Sequence, residues 1–351
     1  MEGRMVEDLS IIGGLIGMQF VYAGNAVLLS YLMSLGLNSL TIVIFCSFAT
    51  FLVLLPFASY YERSIWPKKF RFKLFIQILL LSFGGVTLFQ SLILKGINLT
   101  SPALGTAMPN IAPGLIFIIA WTLRLEKVDL SCTYSKAKII GTLLCVFGAL
   151  TMSLMSSISI SAPNKETTFQ LSSPPPDVLL DKHKIIGCLY LLAAVFIFSS
   201  SIILQAFTLG DFPAPMSLCA ITSLFGAFMT ATAQLLQDHE LKTSWPFLSV
   251  GEVIAYSLLA GSVSGICLSF HCWALKKRGP VLVSMFSPIG TLCSVILSYF
   301  TLGDTITIGS FAGMILMFSG LYFVLWAKGK EGYATKHDLE CEFDAERPLL
   351  T

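Results

Sequence analysis

PALGTAMPNIAPGLIFIIAWTLRLE, residues 102–126, has a partner later in the same chain: PVLVSMFSPIGTLCSVILSYFTLGD, residues 280–304. In each stretch a proline opens an apolar run and an acid closes it 24 residues later, Pro102 to Glu126 and Pro280 to Asp304. Leu104 answers to Leu282 and Ile118 to Ile296 in one unbroken register, and just upstream Gly96-Ile97 answers to Ala274-Leu275. Further on, Gly141 and Gly148 have the spacing of Gly313 and Gly320, displaced by a six-residue insertion in the first copy. The chain reads as two copies of one unit.

Composition says what the unit is made of. The 351 residues are 55 % hydrophobic and 12 % charged, whereas soluble domains carry about 25 % charged residues. A membrane-spanning helix needs ~20 predominantly apolar residues. Ten such stretches are predicted, near 10–30, 39–59, 73–94, 103–123, 137–156, 185–205, 215–236, 253–273, 282–302 and 308–327. The expected fold is therefore an all-α membrane protein with ten transmembrane helices. Residues 1–156 form the first five-helix repeat and 185–328 the second. Between them 157–184 is a polar linker containing Pro174-Pro175-Pro176, and 329–351 is an acidic tail expected to be disordered. An odd number of spans per copy forces the two copies to insert upside down relative to each other. Inverted repeats of this kind build secondary transporters, with the substrate site at the repeat interface near the midplane.

Charge placement gives an orientation. All but five of the 22 Lys and Arg residues (Lys95, Lys165, Lys182, Lys184 and Lys242) fall on one side of the predicted spans. By the positive-inside rule that side is cytoplasmic. Both termini then lie inside, as an even number of spans requires, and the linker lies on the other face. The leader Met1 to Asp8 carries Glu2, Glu7 and Asp8 against Arg4. It lacks the basic start of a signal peptide, so the first stretch is expected to remain as a span.

The function classes narrow quickly. A net charge of +2 gives no reason to expect nucleic acid. Seven of the nine cysteines fall within predicted spans without metal-ligand spacing, and read as small apolar fillers. The spans hold no Ser-His-Asp arrangement, no metal cluster and no phosphate loop, so no cofactor, metal or catalytic residue is expected. Polar uncharged side chains and prolines are left to carry function. Gln19, Tyr22 and Asn25 stand three apart on the first span, on one side of the helix. Thr87 and Gln90 lie on the third. On the sixth, Ser201 and Gln205 share a face, while Ser199 and Ser200 point elsewhere. The fourth span carries Pro109-Asn110-Ile111-Ala112-Pro113, where two prolines each remove a backbone donor and free carbonyls one turn upstream. The ninth repeats the theme with Ser287-Pro288, and in the repeat register Pro288 falls opposite Asn110. Gln19, Tyr22, Asn25, Gln90, Asn110, Ser201, Gln205 and Ser287 are the candidate substrate-binding residues. Pro109, Pro113 and Pro288 are the candidate hinges. Gly13/Gly17, Gly261/Gly265 and Gly309/Gly313 have the spacing of close helix packing.

Several runs are similar to a plant family. Arg124-Leu125-Glu126-Lys127-Val128 resembles its signature, as does Cys272-Trp273-Ala274-Leu275-Lys276-Lys277-Arg278-Gly279-Pro280-Val281, followed by Met285-Phe286-Ser287-Pro288-Ile289-Gly290-Thr291. Leu321-Tyr322-Phe323-Val324-Leu325-Trp326-Ala327-Lys328 completes the match. The family is that of the Walls-Are-Thin-related, nodulin-21-like proteins of the drug/metabolite transporter superfamily. One departure is visible: Asp304 stands where the family usually has Glu. The resemblance implies two inverted five-helix EamA repeats and an alternating-access carrier. It also implies small organic substrates, such as amino acids or auxin-like compounds, often moved as facilitated efflux. The partners then expected are a small-molecule substrate, the lipid bilayer and a second copy of the chain in a homodimer. The expected location is the plasma membrane, with the tonoplast as alternative. The rival reading is a non-transporting multi-pass receptor or scaffold.

Overall fold

A computed structural model describes residues 2–34, 39–66, 72–100, 108–125, 133–160, 182–238, 250–287, 289–290, 292–293, 296–297 and 312–327. Pro288, the linker from 161 to 181 and the tail from 329 onward lie outside the described residues, as do Pro102, Glu126 and Asp304. Among the described residues all regular structure is helical.

The helices in chain order are α1 (Glu2–Ser34), α2 (Ser39–Tyr61) and α3 (Phe72–Leu99), the last containing a π-helical turn at Phe83–Leu88. A 3-10 turn, Met108–Ile111, leads into α4 (Ala112–Thr122), and α5 covers Thr133–Ile160. Then come α6 (Lys182–Asp211), α7 (Pro215–Asp238), α8 (Val250–Arg278), α9 (Pro280–Ser284) and α10 (Ala312–Ala327). Among the described residues five segments are long and apolar enough to cross a membrane: Leu40–Tyr61, Phe72–Leu99, Ile185–Asp211, Pro215–Leu236 and Gly251–Arg278. Met108–Thr122 and Ala312–Ala327 are apolar but shorter, and each borders residues outside the described set.

The junction from α8 to α9 shows how local sequence sets the path. Lys276, Lys277 and Arg278 fill the last turn of α8, where positive charge complements the helix dipole. Gly279 follows at φ 79°, a conformation that side chains resist, and Pro280 starts α9 at a position where no backbone donor is needed.

Packing runs between the halves more than within them. α2 lies along α7; α1 packs on α8 and α3 on α6; α2 also meets α8, and α3 also meets α7. These contacts are reciprocal. Number the helices one to five in each half, and a contact of the first helix with the other half's third has its counterpart, third with first. One hydrophobic core results. Leu15, Met18, Ile78 and Ile116 of the first half are buried together with Val195, Leu218, Cys272 and Phe286 of the second.

α5 and α10 approach closely, and the contact uses the glycines that share a spacing in the sequence. A methyl group added at Gly141 would come within 2.7 Å of the Gly320 carbonyl oxygen, and one added at Gly320 within 2.5 Å of Gly141's. Gly148 would likewise meet the Gly313 carbonyl at 2.7 Å. Gly141 faces Gly320 and Gly148 faces Gly313, so exchanging each glycine for its repeat counterpart returns the same pair of contacts. Gly261 packs α8 on α2 in a similar way, against Ala49 and the Cys46 carbonyl. Gly13 and Gly17 depart from expectation: a methyl at either meets no described atom within 4 Å.

The outer surface of the bundle is apolar, with Phe147, Phe196, Phe228 and Ile266 exposed, as hydrocarbon contact allows. At the end where α2, α4 and α10 finish, Tyr60, Tyr61, Trp121, Tyr322 and Trp326 are exposed, the pattern of an interfacial aromatic belt. Charged contacts also gather at that end: Glu7 pairs with Lys277 at 2.8 Å and Lys73 with Asp211 at 3.0 Å. It is the end that bears the basic loops.

Gly320→Leu should lower the thermal midpoint of the detergent-purified protein, since overpacking a closed seam costs about 1–3 kcal/mol. Gly13→Leu should leave the midpoint within error. Equal effects in a thermal-shift measurement would mean that α5 and α10 do not meet through these glycines.

Candidate functional site

A polar group buried in hydrocarbon without a partner costs a few kcal/mol, so the partners that the candidate residues find show where the polar interior lies. α1 carries Gln19, Tyr22 and Asn25 toward the second half. Gln19 is buried, and its Oε1 lies 2.6 Å from where a Cβ on Gly290 would stand, so the end of its side chain reaches the second half beside Gly290. Asn25 Nδ2 donates to Ser264 Oγ of α8 at 3.1 Å. Tyr22 packs against the core that contains Cys219, Cys267 and Cys272.

α6 supplies the other face. Gln205 Nε2 donates to Cys272 Sγ at 3.0 Å, and Cys272 Sγ is 3.2 Å from Cys219 Sγ. Gln205 and Tyr22, from opposite halves, thus converge on the same cysteine-lined region. Ser201 is buried against the π-helical turn of α3, where a methyl on Gly84 would lie 3.1 Å from its hydroxyl. π-helical turns inside α-helices occur frequently at functional sites. Ser199 and Ser200 bond back to Val195 O and Phe196 O of their own helix, both at 2.8 Å. One turn below Gln90, which is half-buried, Thr87 Oγ1 meets Thr230 Oγ1 of α7 at 3.0 Å.

Asn110 is buried in the turn that starts α4 and packs against α5 and α6. Pro109 lies in the 3-10 turn and Pro113 in the first turn of α4, and the residues from 101 to 107 just upstream lie outside the described set. Ser287 is exposed and stands apart from the buried candidates, and Pro288 lies outside the described residues.

Sequence reading passed over three residues. Thr230 and Ser264 complete the polar pairs with Thr87 and Asn25; a Thr or Ser in an apolar helix usually bonds to its own backbone, so neither stood out. Glu62 is the third. It ends the first half's α2, is 8 % exposed, and accepts hydrogen bonds from Met216 N at 3.0 Å, Ser217 N at 2.7 Å and Ser217 Oγ at 2.8 Å. Trp66 Nε1 donates to the same Ser217 Oγ at 2.8 Å. Among the described residues no group of three His, Cys, Asp or Glu side chains has the arrangement to hold a metal ion.

A WAT1-related protein of Arabidopsis thaliana is 55 % identical over 352 residues, covering 100 % of this chain and 95 % of its own length. The chain belongs to the WAT1-related family. A second WAT1-related protein of the same plant is 48 % identical, covering 100 % of this chain and 99 % of its own length. Protein WALLS ARE THIN 1 of Arabidopsis thaliana is 31 % identical over 93 % of this chain and 85 % of its own length. The EamA-like transporter family matches residues 185–326. A solved crystal structure shares the fold with a TM-score of 0.67 at 15 % identity, over 90 % of this chain and 96 % of that one. This WAT1-related chain is a multi-pass integral membrane transporter of the drug/metabolite superfamily.

The Asn25–Ser264 pair should show positive coupling. In a double-mutant cycle of Asn25→Leu and Ser264→Ala, an interhelical bond of this kind averages about 0.6 kcal/mol. Additive changes in thermal stability would mean that the two side chains do not bond.

Proposed function

We propose that the chain is an alternating-access carrier of small organic metabolites, built from ten spans in two inverted five-helix EamA repeats. Amino acids or auxin-like compounds are the substrates considered, moved as facilitated efflux. The observation that carries this reading is the reciprocal seam in which Gly141 faces Gly320 and Gly148 faces Gly313. Two equivalent halves related by a pseudo-two-fold axis can exchange conformations, and that exchange opens first one mouth and then the other. A receptor or scaffold has no such use for the symmetry.

The substrate site lies between the halves. Gln19, Tyr22 and Asn25 from α1, Ser201 and Gln205 from α6, Gln90 from α3 and Asn110 at the start of α4 supply hydrogen bonds along it. The predicted spans carry no Asp or Glu, and their lysines, Lys73 and Lys138, stand at or next to a span's first residue, so recognition rests on amides, hydroxyls and aromatic surface. Both termini and the basic loops face the cytoplasm of the plasma membrane or, as alternative, of the tonoplast, and the 157–184 linker faces away.

Metabolite profiling of transport-null cells with and without the chain would name a cargo. With that cargo, Asn110→Leu should abolish flux normalised to protein in the membrane, Gln19→Leu should do the same, and Ser199→Ala should be mild. Leucine is favourable in hydrocarbon by roughly 0.3–0.6 kcal/mol, so insertion should survive. Normal flux in Asn110→Leu would remove that residue from the site. Labels placed in the linker and at Lys276 should report opposite sides of the membrane; same-side labelling would refute the inverted repeat.

A further inference from the structure

A carrier that alternates must hold one mouth shut while the other is open. The described contacts identify the group that holds one of them. α7 begins at Pro215, and its first-turn N–H groups have no acceptor within the helix. The residue before it, Ala214, has no side chain that could cap them. The cap comes instead from the other half: the Glu62 carboxylate takes Met216 N, Ser217 N and Ser217 Oγ together. A carboxylate at a helix N-terminus also gains from the helix dipole. Glu62 is the only buried carboxylate among the described residues, and a buried charge is tolerated only while it is fully hydrogen-bonded. The pairs Glu7–Lys277 and Lys73–Asp211 join the halves at the same end, but both are largely exposed, and exposed pairs contribute little.

We propose that Glu62 is the latch that closes this end of the transport path, by fixing the start of α7 to the end of α2. The proposal rests on the carrier reading. Glu62 touches no cargo in this role; it is a positioning residue acting through Met216 and Ser217. Trp66 completes the latch by bonding the Ser217 hydroxyl from the side. Opening this mouth means separating α7's first turn from Glu62, which returns both the carboxylate and the freed N–H groups to water. That exchange of protein for water partners makes the latch reversible.

The protein carries its own reporters. Cys219 and Cys272 are fully buried one to two turns inside the Glu62 end. Cys188, near the start of α6, lies toward the opposite end and is half-buried. The full chain in lipid nanodiscs would be exposed to a water-soluble maleimide, and the labelling rate of each cysteine read by mass spectrometry. In Glu62→Gln, labelling of Cys219 and Cys272 should accelerate roughly tenfold, the scale expected when a hydrogen bond to a charged group is lost. Cys188 labelling should slow, because opening one mouth closes the other. Ser217→Ala and Trp66→Phe should shift the rates in the same directions by less, and they decide the matter if Glu62→Gln does not fold. Unchanged rates, or faster labelling at both ends, would overturn the latch and leave Glu62 a structural cap. No cargo is involved, so a missing flux would bear on the carrier reading and not on this result.

Discussion

A polar side chain inside hydrocarbon must find its partner within the protein, and in this chain several of them find it across the two halves. Asn25 bonds to Ser264, Thr87 to Thr230, Glu62 to the start of α7, and at the far end of the same helix pair Gln234 Nε2 donates to Thr41 Oγ1 at 3.0 Å. Each bond gives one half a reason to stay against the other. Hydrophobicity cannot do this alone, because lipid is as apolar as leucine and offers each half an equally good surface. Close packing supplies the remainder, and glycine is what allows it: α5 and α10 approach until their backbones nearly touch.

This distribution of bonds also explains how one interface can be both specific and movable. The contacts are few, mostly neutral and spread along the depth of the bundle. A neutral hydrogen bond in a membrane contributes about 0.6 kcal/mol, so small rearrangements exchange one set for another at low cost. Glu62 differs, because it concentrates three donors on one buried charge. It sits at the end of the path and not in its middle, which fits a group that regulates access, whereas Gln19, Tyr22, Asn25 and Gln205 lie deeper among apolar and thiol side chains.

The all-helical, multi-pass class was legible in the sequence because the bilayer imposes a simple rule of apolar length. Gly141, Gly148, Gly313 and Gly320 were visible first as landmarks of duplication, and the fold gave them a physical reason: they are the two ends of one seam. Gly13 and Gly17, four apart, have a close-packing spacing but meet no described atom within 4 Å, since spacing alone does not say which side of a helix has a neighbour. Glu62 was hidden by its place beside Arg63 in a charged loop, where a solvated side chain was the ordinary expectation. Its partners lie more than 150 residues away in the sequence, and no local pattern announces such a pairing.

The central claim is that the two halves exchange conformations around a shared site, so that the chain carries its cargo and does not simply open a pore. Counterflow tests this most directly. Purified protein in liposomes preloaded with unlabelled metabolite should draw in the labelled compound above its external concentration, because each inward trip is driven by an outward one. A labelled compound that only equilibrates, at a rate indifferent to the internal pool, would contradict alternating access.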